Sequence, residues 1–208
     1  MSSQVKLPIK GFPTHYSSLI IPPPGKGKKD RFQIHLRGQQ MSDGEKLEID
    51  IGGFAAMDPR EDNRVELSEK VDDFKVLKAT TQISLSDDDK ERECSMCQQI
   101  ERVIGLLDGE VVTDRFPLEG TDPQYTNNKK YIQKMDFGRS YHEAGTLRIG
   151  NDINSSVTDS FGQVHGLSNL FVADAALFPN VGVANPMLTI TALAYRVADK
   201  AGYQASFP

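Results

Sequence analysis

The sequence predicts an α+β protein, an antiparallel sheet carrying helices, and three patterns lead to that class. Between residues 31 and 85 apolar and polar residues alternate, as in strands with one buried face. From residue 87 to 107 the apolar period lengthens to three and four, which is one face of a helix. From residue 169 a short continuous apolar run precedes a long apolar helix, the order expected of a strand buried on both faces and the element after it.

Residues 1–30 are rich in Pro, Gly, Ser and Lys, so loops or an edge segment are expected there. Phe32, Ile34 and Leu36 then alternate with Arg31, Gln33, His35 and Arg37, while Leu47, Ile49 and Ile51 alternate with Glu48 and Asp50. With Ser42-Asp43-Gly44 between them, these segments read as a hairpin with His35 on its polar face as an ordinary surface residue. Strands at 64–67 and 81–85 are expected to extend the same sheet. A helix follows, capped by Asp87 or Asp88, its acidic first turn suiting the dipole and its stripe of Cys94, Cys97, Ile100, Ile104 and Leu107 facing the sheet. Residues 108–140, punctuated by Gly109, Pro117, Gly120, Pro123 and Gly138, read as a long irregular excursion of the kind that forms lids and binding loops. Leu170-Phe171-Val172-Ala173 is the buried strand. Asn185 caps the last helix, Pro186 takes its first position and Gly202 stops it.

Composition excludes several classes. The 38% hydrophobic and 25% charged content is that of a globular chain. No run approaches the roughly 18–20 apolar residues of a spanning helix. Met1 to Lys6 lacks the apolar stretch of a secretion signal, so a cytoplasmic location is expected, any signal of a longer parent lying outside these residues. A net charge of −5 argues against phosphate-backbone binding, and the cluster of Lys26, Lys28, Lys29 and Arg31 reads as a solvated loop. Cys94 and Cys97 form a lone C-x-x-C with no second pair and no flanking histidine to complete four metal ligands. Both read as thiols packed in the core.

The chemistry concentrates in the last third. Tyr141-His142-Glu143-Ala144-Gly145-Thr146-Leu147-Arg148-Ile149-Gly150 is followed by Asn169-Leu170-Phe171-Val172-Ala173-Asp174-Ala175 and then by Ala184-Asn185-Pro186. A histidine, an acidic residue after a strand and an asparagine at a helix start thus come in order. Any one alone has a bland explanation: a packed histidine, a turn aspartate capping the next segment, a capped packing helix. Together they resemble the C-terminal segment of the glucose-methanol-choline (GMC) flavin oxidoreductases, in which a histidine precedes Gly-Thr and a second glycine, a strand ends in Asp-Ala, and Asn-Pro or His-Pro opens a helix. Met57-Asp58-Pro59-Arg60, Asn63 to Ser68 and Leu85 to Lys90 resemble that family's substrate-domain strand and following helix more loosely.

The resemblance implies an FAD-dependent oxidoreductase acting on the CH–OH groups of alcohols or sugars. It makes His142 the catalytic base and Asn185 the amide that orients the substrate oxygen, a chemistry that needs a base titrating near neutrality. Asp174, Ala175, Asn185, Pro186 and Met187 are the expected cofactor contacts, the helix start favouring the negative charge of a reduced ring. His165, within Gly162-Gln163-Val164-His165-Gly166, is expected to be structural, and Glu143 and Arg148 flank the base. The polar residues Thr121, Asp122, Gln124, Tyr125, Asn127 and Asn128 favour a polyhydroxylated substrate.

The family's diphosphate-binding G-x-G-x-x-G unit does not occur, since Gly25-Lys26-Gly27 lacks the third glycine and follows prolines instead of a strand. The expected division is a loop-rich segment (1–30), a GMC-type substrate-binding domain (31–168) and a strand and helix completing a Rossmann-like FAD-binding domain (169–208). The chain is then the C-terminal portion of the enzyme, inactive without a partner polypeptide supplying the dinucleotide-binding half. A non-catalytic binding or scaffold module that keeps the fold is the alternative. A metal-dependent hydrolase using His142, His165 and carboxylates has no ligand spacing behind it.

Overall fold

Phe32, Ile34, Ile49 and Ile51 project from one face of two paired strands onto Met96, Ile100 and Ile104 of a helix, and this contact is the core around which the first half of the protein is built. The computed structural model describes residues 2–7, 17–22, 25–40, 47–107, 110–112 and 142–206. Of the irregular excursion expected at 108–140, residues 110–112 form a strand instead, and the rest, with the six polar residues expected to shape a pocket, lies outside the described residues, as does the turn at Ser42-Asp43-Gly44. The strands are β1 (Ser2–Leu7), β2 (Ser17–Ile21), β3 (Phe32–Gln40), β4 (Leu47–Ala55), β5 (Arg64–Val71), β6 (Leu77–Gln82) and β7 (Glu110–Val112). Among the described residues the α-helices are α1 (Asp87–Leu106) and α2 (Met187–Ser206). Two antiparallel sheets and two helices make the α+β fold that the alternating periods predict.

The chain divides into two compact units interleaved in sequence, one of residues 1–56 and 86–136, the other of 57–85 and 137–208. In the first unit five strands run in the order β2-β3-β4-β1-β7. The hairpin of β3 and β4 pairs as predicted, with Leu36 opposite Ile51 and Ile34 opposite Gly53, but His35 is buried beside Gln33 and Phe54 and is not the surface residue expected. The N-terminal expectation is corrected: β1 lies inside the sheet, paired with β4 on one side and β7 on the other. A six-residue strand flanked by Pro and Gly carries too little periodicity to announce itself, and only its distant partners make it a strand. β5 and β6 do not extend this sheet but form a separate two-stranded one, and β6 begins at Leu77, earlier than the alternation at 81–85 suggests. Asp72 accepts from the amides of Phe74 and Val76, and Lys75 turns at φ 63°, so the reversal is made at 72–76.

α1 is capped by Ser86, one residue before the expected aspartates. Ser86 Oγ accepts from the Asp89 amide at 3.0 Å and Asp89 Oδ2 accepts from the Ser86 amide at 2.9 Å, a reciprocal box that satisfies two amides at the helix start. Cys97, Ile100 and Ile104 face the sheet as the stripe predicts, with Met96 beside them, while Cys94 is half-buried.

One polar group in this interior is the fully buried Arg92. Its guanidinium donates to Asp89 Oδ1 at 2.6 Å and to the carbonyl of Ala56, the last residue before the chain leaves the unit. The chain returns at Ser86, which Asp89 holds, so one ion pair fastens both crossings. Removing one member of a buried pair strands the other, at about 3–5 kcal/mol. Arg92→Ala is therefore expected to lower the urea midpoint sharply, and adding Asp89→Leu to that variant should recover part of the loss. Chemical denaturation of the single and double variants measures both.

Candidate active site

The second unit brings the expected site segments together through the backbone. The amides of Gly145, Leu147 and Ile149 donate to the carbonyls of Ala175, Ala176 and Leu177 at 3.1, 2.9 and 3.0 Å, so the stretch after His142 runs along the stretch after Asp174. Gly145 stands at φ 88°, and a Cβ there would meet the Phe178 carbonyl oxygen at 3.1 Å, which is why the first motif needs a glycine three residues after its histidine. Gly150 and Thr158 continue the network, the Gly150 amide donating to the Thr158 carbonyl, and Thr158 is completely buried.

Asp174 does what a turn aspartate does. Its carboxylate accepts from the Ala176 amide at 2.7 Å and caps a single 3₁₀ turn over Ala175–Leu177. The side chain remains exposed. Ahead of it, Leu170 to Ala173 is not the fully buried strand that its apolar run predicts. Phe171 makes one antiparallel bridge to Gln163, and Leu170 is 49% exposed. A parallel strand needs parallel neighbours, and the described residues offer none.

α2 also departs from expectation at both ends. The Ile190 amide donates to the Pro186 carbonyl at 2.9 Å, so Pro186 is the flanking residue and Met187 the first helical one. The helix passes through Gly202 to Ser206, since a glycine stops a helix only where the chain turns to the left-handed conformation. Asn185 is exposed and its side chain makes no hydrogen bond among the described residues; it does not cap. His142 is half-buried and Glu143 exposed. Arg148 is committed elsewhere, its Nε donating to the Ser155 carbonyl at 2.9 Å.

His165 has the structural place expected of it, 2.9 Å from Ser156 Oγ through Nε2 and just before a turn at Gly166 with φ 77°. Burial pushes the Cys97 thiol up to about 12, helped by nearby Glu93, so this side chain stays a neutral thiol. Among the described residues no group of three or more His, Cys, Asp or Glu could hold a metal ion.

The fold and this lacing of motifs define a class. A family model described as GMC oxidoreductase matches residues 59–194, and the chain belongs to that family as its C-terminal domain. It is 30% identical over 153 residues to paromamine 6'-oxidase of Streptomyces fradiae, covering 73% of this chain and 25% of that protein. Pyranose 2-oxidase of Tricholoma matsutake is 27% identical over 161 residues, again 73% of this chain and 26% of the relative. The chain thus spans about a quarter of the length of these relatives. Its fold is similar to the crystal structure of pyridoxine 4-oxidase from Mesorbium loti, with a TM-score of 0.50 and 18% identity over 84% of this chain and 35% of the other.

One signal for the site's support went unread in the sequence: Gly162, two residues after Ser160. At φ 78° it lets the chain pass so closely that a Cβ would lie 2.6 Å from the Val172 carbonyl oxygen and 2.7 Å from Val197 Cγ2 of α2. Gly162→Ala is expected to destabilise the second unit by about 2 kcal/mol or more, from backbone strain and overpacking together. Gly202→Ala meets nothing within 4 Å inside a helix and should stabilise by about 0.5–1 kcal/mol. Paired thermal melts compare the two.

Proposed function

We propose that this chain is the C-terminal portion of an FAD-dependent oxidoreductase that oxidises a CH–OH group of an alcohol or sugar. The observation that carries the reading is the pairing of 145–149 with 175–177, which gathers two of the three motif segments in the unit that also contains the third. The names of the relatives, a paromamine oxidase and a pyranose oxidase, support a hydroxylated ring as substrate. Residues 169–208 would then complete the FAD-binding domain, and 31–168 would supply the substrate-binding domain.

The side chains fit one end of that cofactor and not the other. Asn185 presents an uncommitted amide beside the first turn of α2, whose free N–H groups favour negative charge. Exposed Met187 and Leu188 give the same helix start an apolar surface for a ring. Asp174 and Ala175 would face the ribityl or diphosphate region, the carboxylate keeping acceptor capacity beyond its one capping bond. No residue set resembling a glycine-rich diphosphate cradle is present in the sequence. The bound flavin would accept the hydride. His142 takes the hydroxyl proton as that hydride leaves, and Asn185 donates to the substrate oxygen and holds it in line.

The distribution of apolar surface supports a missing half. Apart from Ile20 and Leu106, every large exposed apolar side chain among the described residues belongs to the second unit. On α2, Leu188 and Tyr195 stand 82% and 71% exposed on one side while Val197 is buried on the other. Such a helix, apolar on two faces, belongs between two layers. The same surface would serve the alternative, a scaffold module that docks without turnover, and activity separates the two.

In the enzyme assembled with the dinucleotide-binding polypeptide, His142→Ala should slow alcohol-dependent flavin reduction by about 100-fold or more, the scale of a lost general base. Asn185→Ala should slow it less and leave the melting temperature unchanged, because Asn185 caps nothing. Rapid-mixing absorbance of the flavin reads the rates, and near-normal reduction in the histidine variant removes His142 from the mechanism. The chain purified alone should be colourless, inactive and prone to associate through its apolar faces, which absorbance at the flavin bands and light scattering test separately. A yellow, monomeric and active preparation contradicts the half-enzyme reading.

A further inference from the structure

The hairpin of β5 and β6 has a face that nothing in the described protein covers. Val65 pairs with Thr81, Leu67 with Ala79 and Val71 with Leu77, which puts Val65, Leu67, Val71 and Leu77 at cross-strand positions whose side chains are all open to solvent, Leu67 at 70%. Phe74 at the turn is 87% exposed. The alternate positions are polar and already paired: Arg64 bonds to Glu66, and Gln82 donates to Glu66 Oε2 at 2.7 Å. A polar face closed by its own ladder opposite a bare apolar face is the pattern of a sheet layer with its covering layer absent. Two strands alone are marginal in water, and among the described residues no further strand pairs with their outer edges.

We infer that this apolar face docks the polypeptide carrying the dinucleotide-binding half, which would make the hairpin a second contact for that partner besides α2. The inference rests on the half-enzyme reading above. Two observations favour this occupant over a second copy of the chain. The matched region begins at residue 59, at the foot of the hairpin, while about three quarters of each relative lies beyond the match and is available as cover. Among the described residues the bare apolar side chains are also confined almost wholly to the unit that holds the family's site segments, the first unit, with its own core, showing Ile20 and Leu106. A surface for self-association has no reason to follow that division.

The test co-expresses this chain with the polypeptide encoded upstream of it that contains the strand, G-x-G-x-x-G turn and helix, and measures complex affinity and amide hydrogen exchange. The complex should protect amides in 64–82. Leu67→Glu should weaken it by about 10-fold or more, the loss of one buried leucine. Thr80→Lys, opposite Glu66 on the polar face, should change it less than about 2-fold, within the range of a surface substitution. Circular dichroism of the lone variants checks that both keep the wild-type fold. Unprotected hairpin amides and undiminished Leu67→Glu binding in a complex that forms would overturn the docking surface and leave the half-enzyme reading standing. Failure of the unaltered chain to bind the polypeptide would overturn both. Protection of 64–82 that appears only as the chain self-associates and is lost in the one-to-one complex would assign the face to a second copy and overturn the inference.

Discussion

Three backbone hydrogen bonds, from Gly145, Leu147 and Ile149 to Ala175, Ala176 and Leu177, are the constraint on which the second unit depends. They join segments thirty residues apart without a regular sheet, so every local choice must suit them. Gly145 has to turn at positive φ, Asp174 has to stop its segment and start a 3₁₀ turn, and Leu177 has to fill the space beneath. The chain between them is held by side chains: Thr158 Oγ1 donates to the Leu147 carbonyl, Asp159 accepts from the Phe161 and Gln163 amides, and His165 leans on Ser156. In a region with so little regular structure these bonds satisfy buried backbone groups that a sheet or helix would otherwise satisfy.

The two units answer the problem of burial differently. The first closes a core between one sheet face and α1, and fastens the chain's exit and return with Arg92 and Asp89. The second has few buried apolar residues, Leu177 and Val197 among them, and much exposed apolar surface on the hairpin, on α2 and at Leu170. Hydrophobic burial is the main favourable term in folding, and the second unit draws less on it than the first. That imbalance agrees with a chain spanning about a quarter of its relatives. It also agrees with the run at 170–173, which is composed as a buried strand and stands half-open with one short antiparallel neighbour at 162–164.

The sequence by itself determined the α+β class, the β3–β4 hairpin, the stripe of α1 and the family, because each rests on periods or motifs read within a few dozen residues. It also ordered His142, Asp174 and Asn185, whose residue types in that succession are specific. The tertiary structure decided the rest. It set β1 inside a sheet, separated β5 and β6 from it, and left 170–173 as a bridge, since strands exist only through partners that local composition does not name. It set the start of α1 at Ser86, where Ser86 and Asp89 bond to each other's amides, and it carried α2 through Gly202 because the backbone there never turns left-handed. Only the fold could show that Gly145 and Gly162 are demanded by a carbonyl lying across each of them, because close approach is a property of two distant segments and neither records it alone.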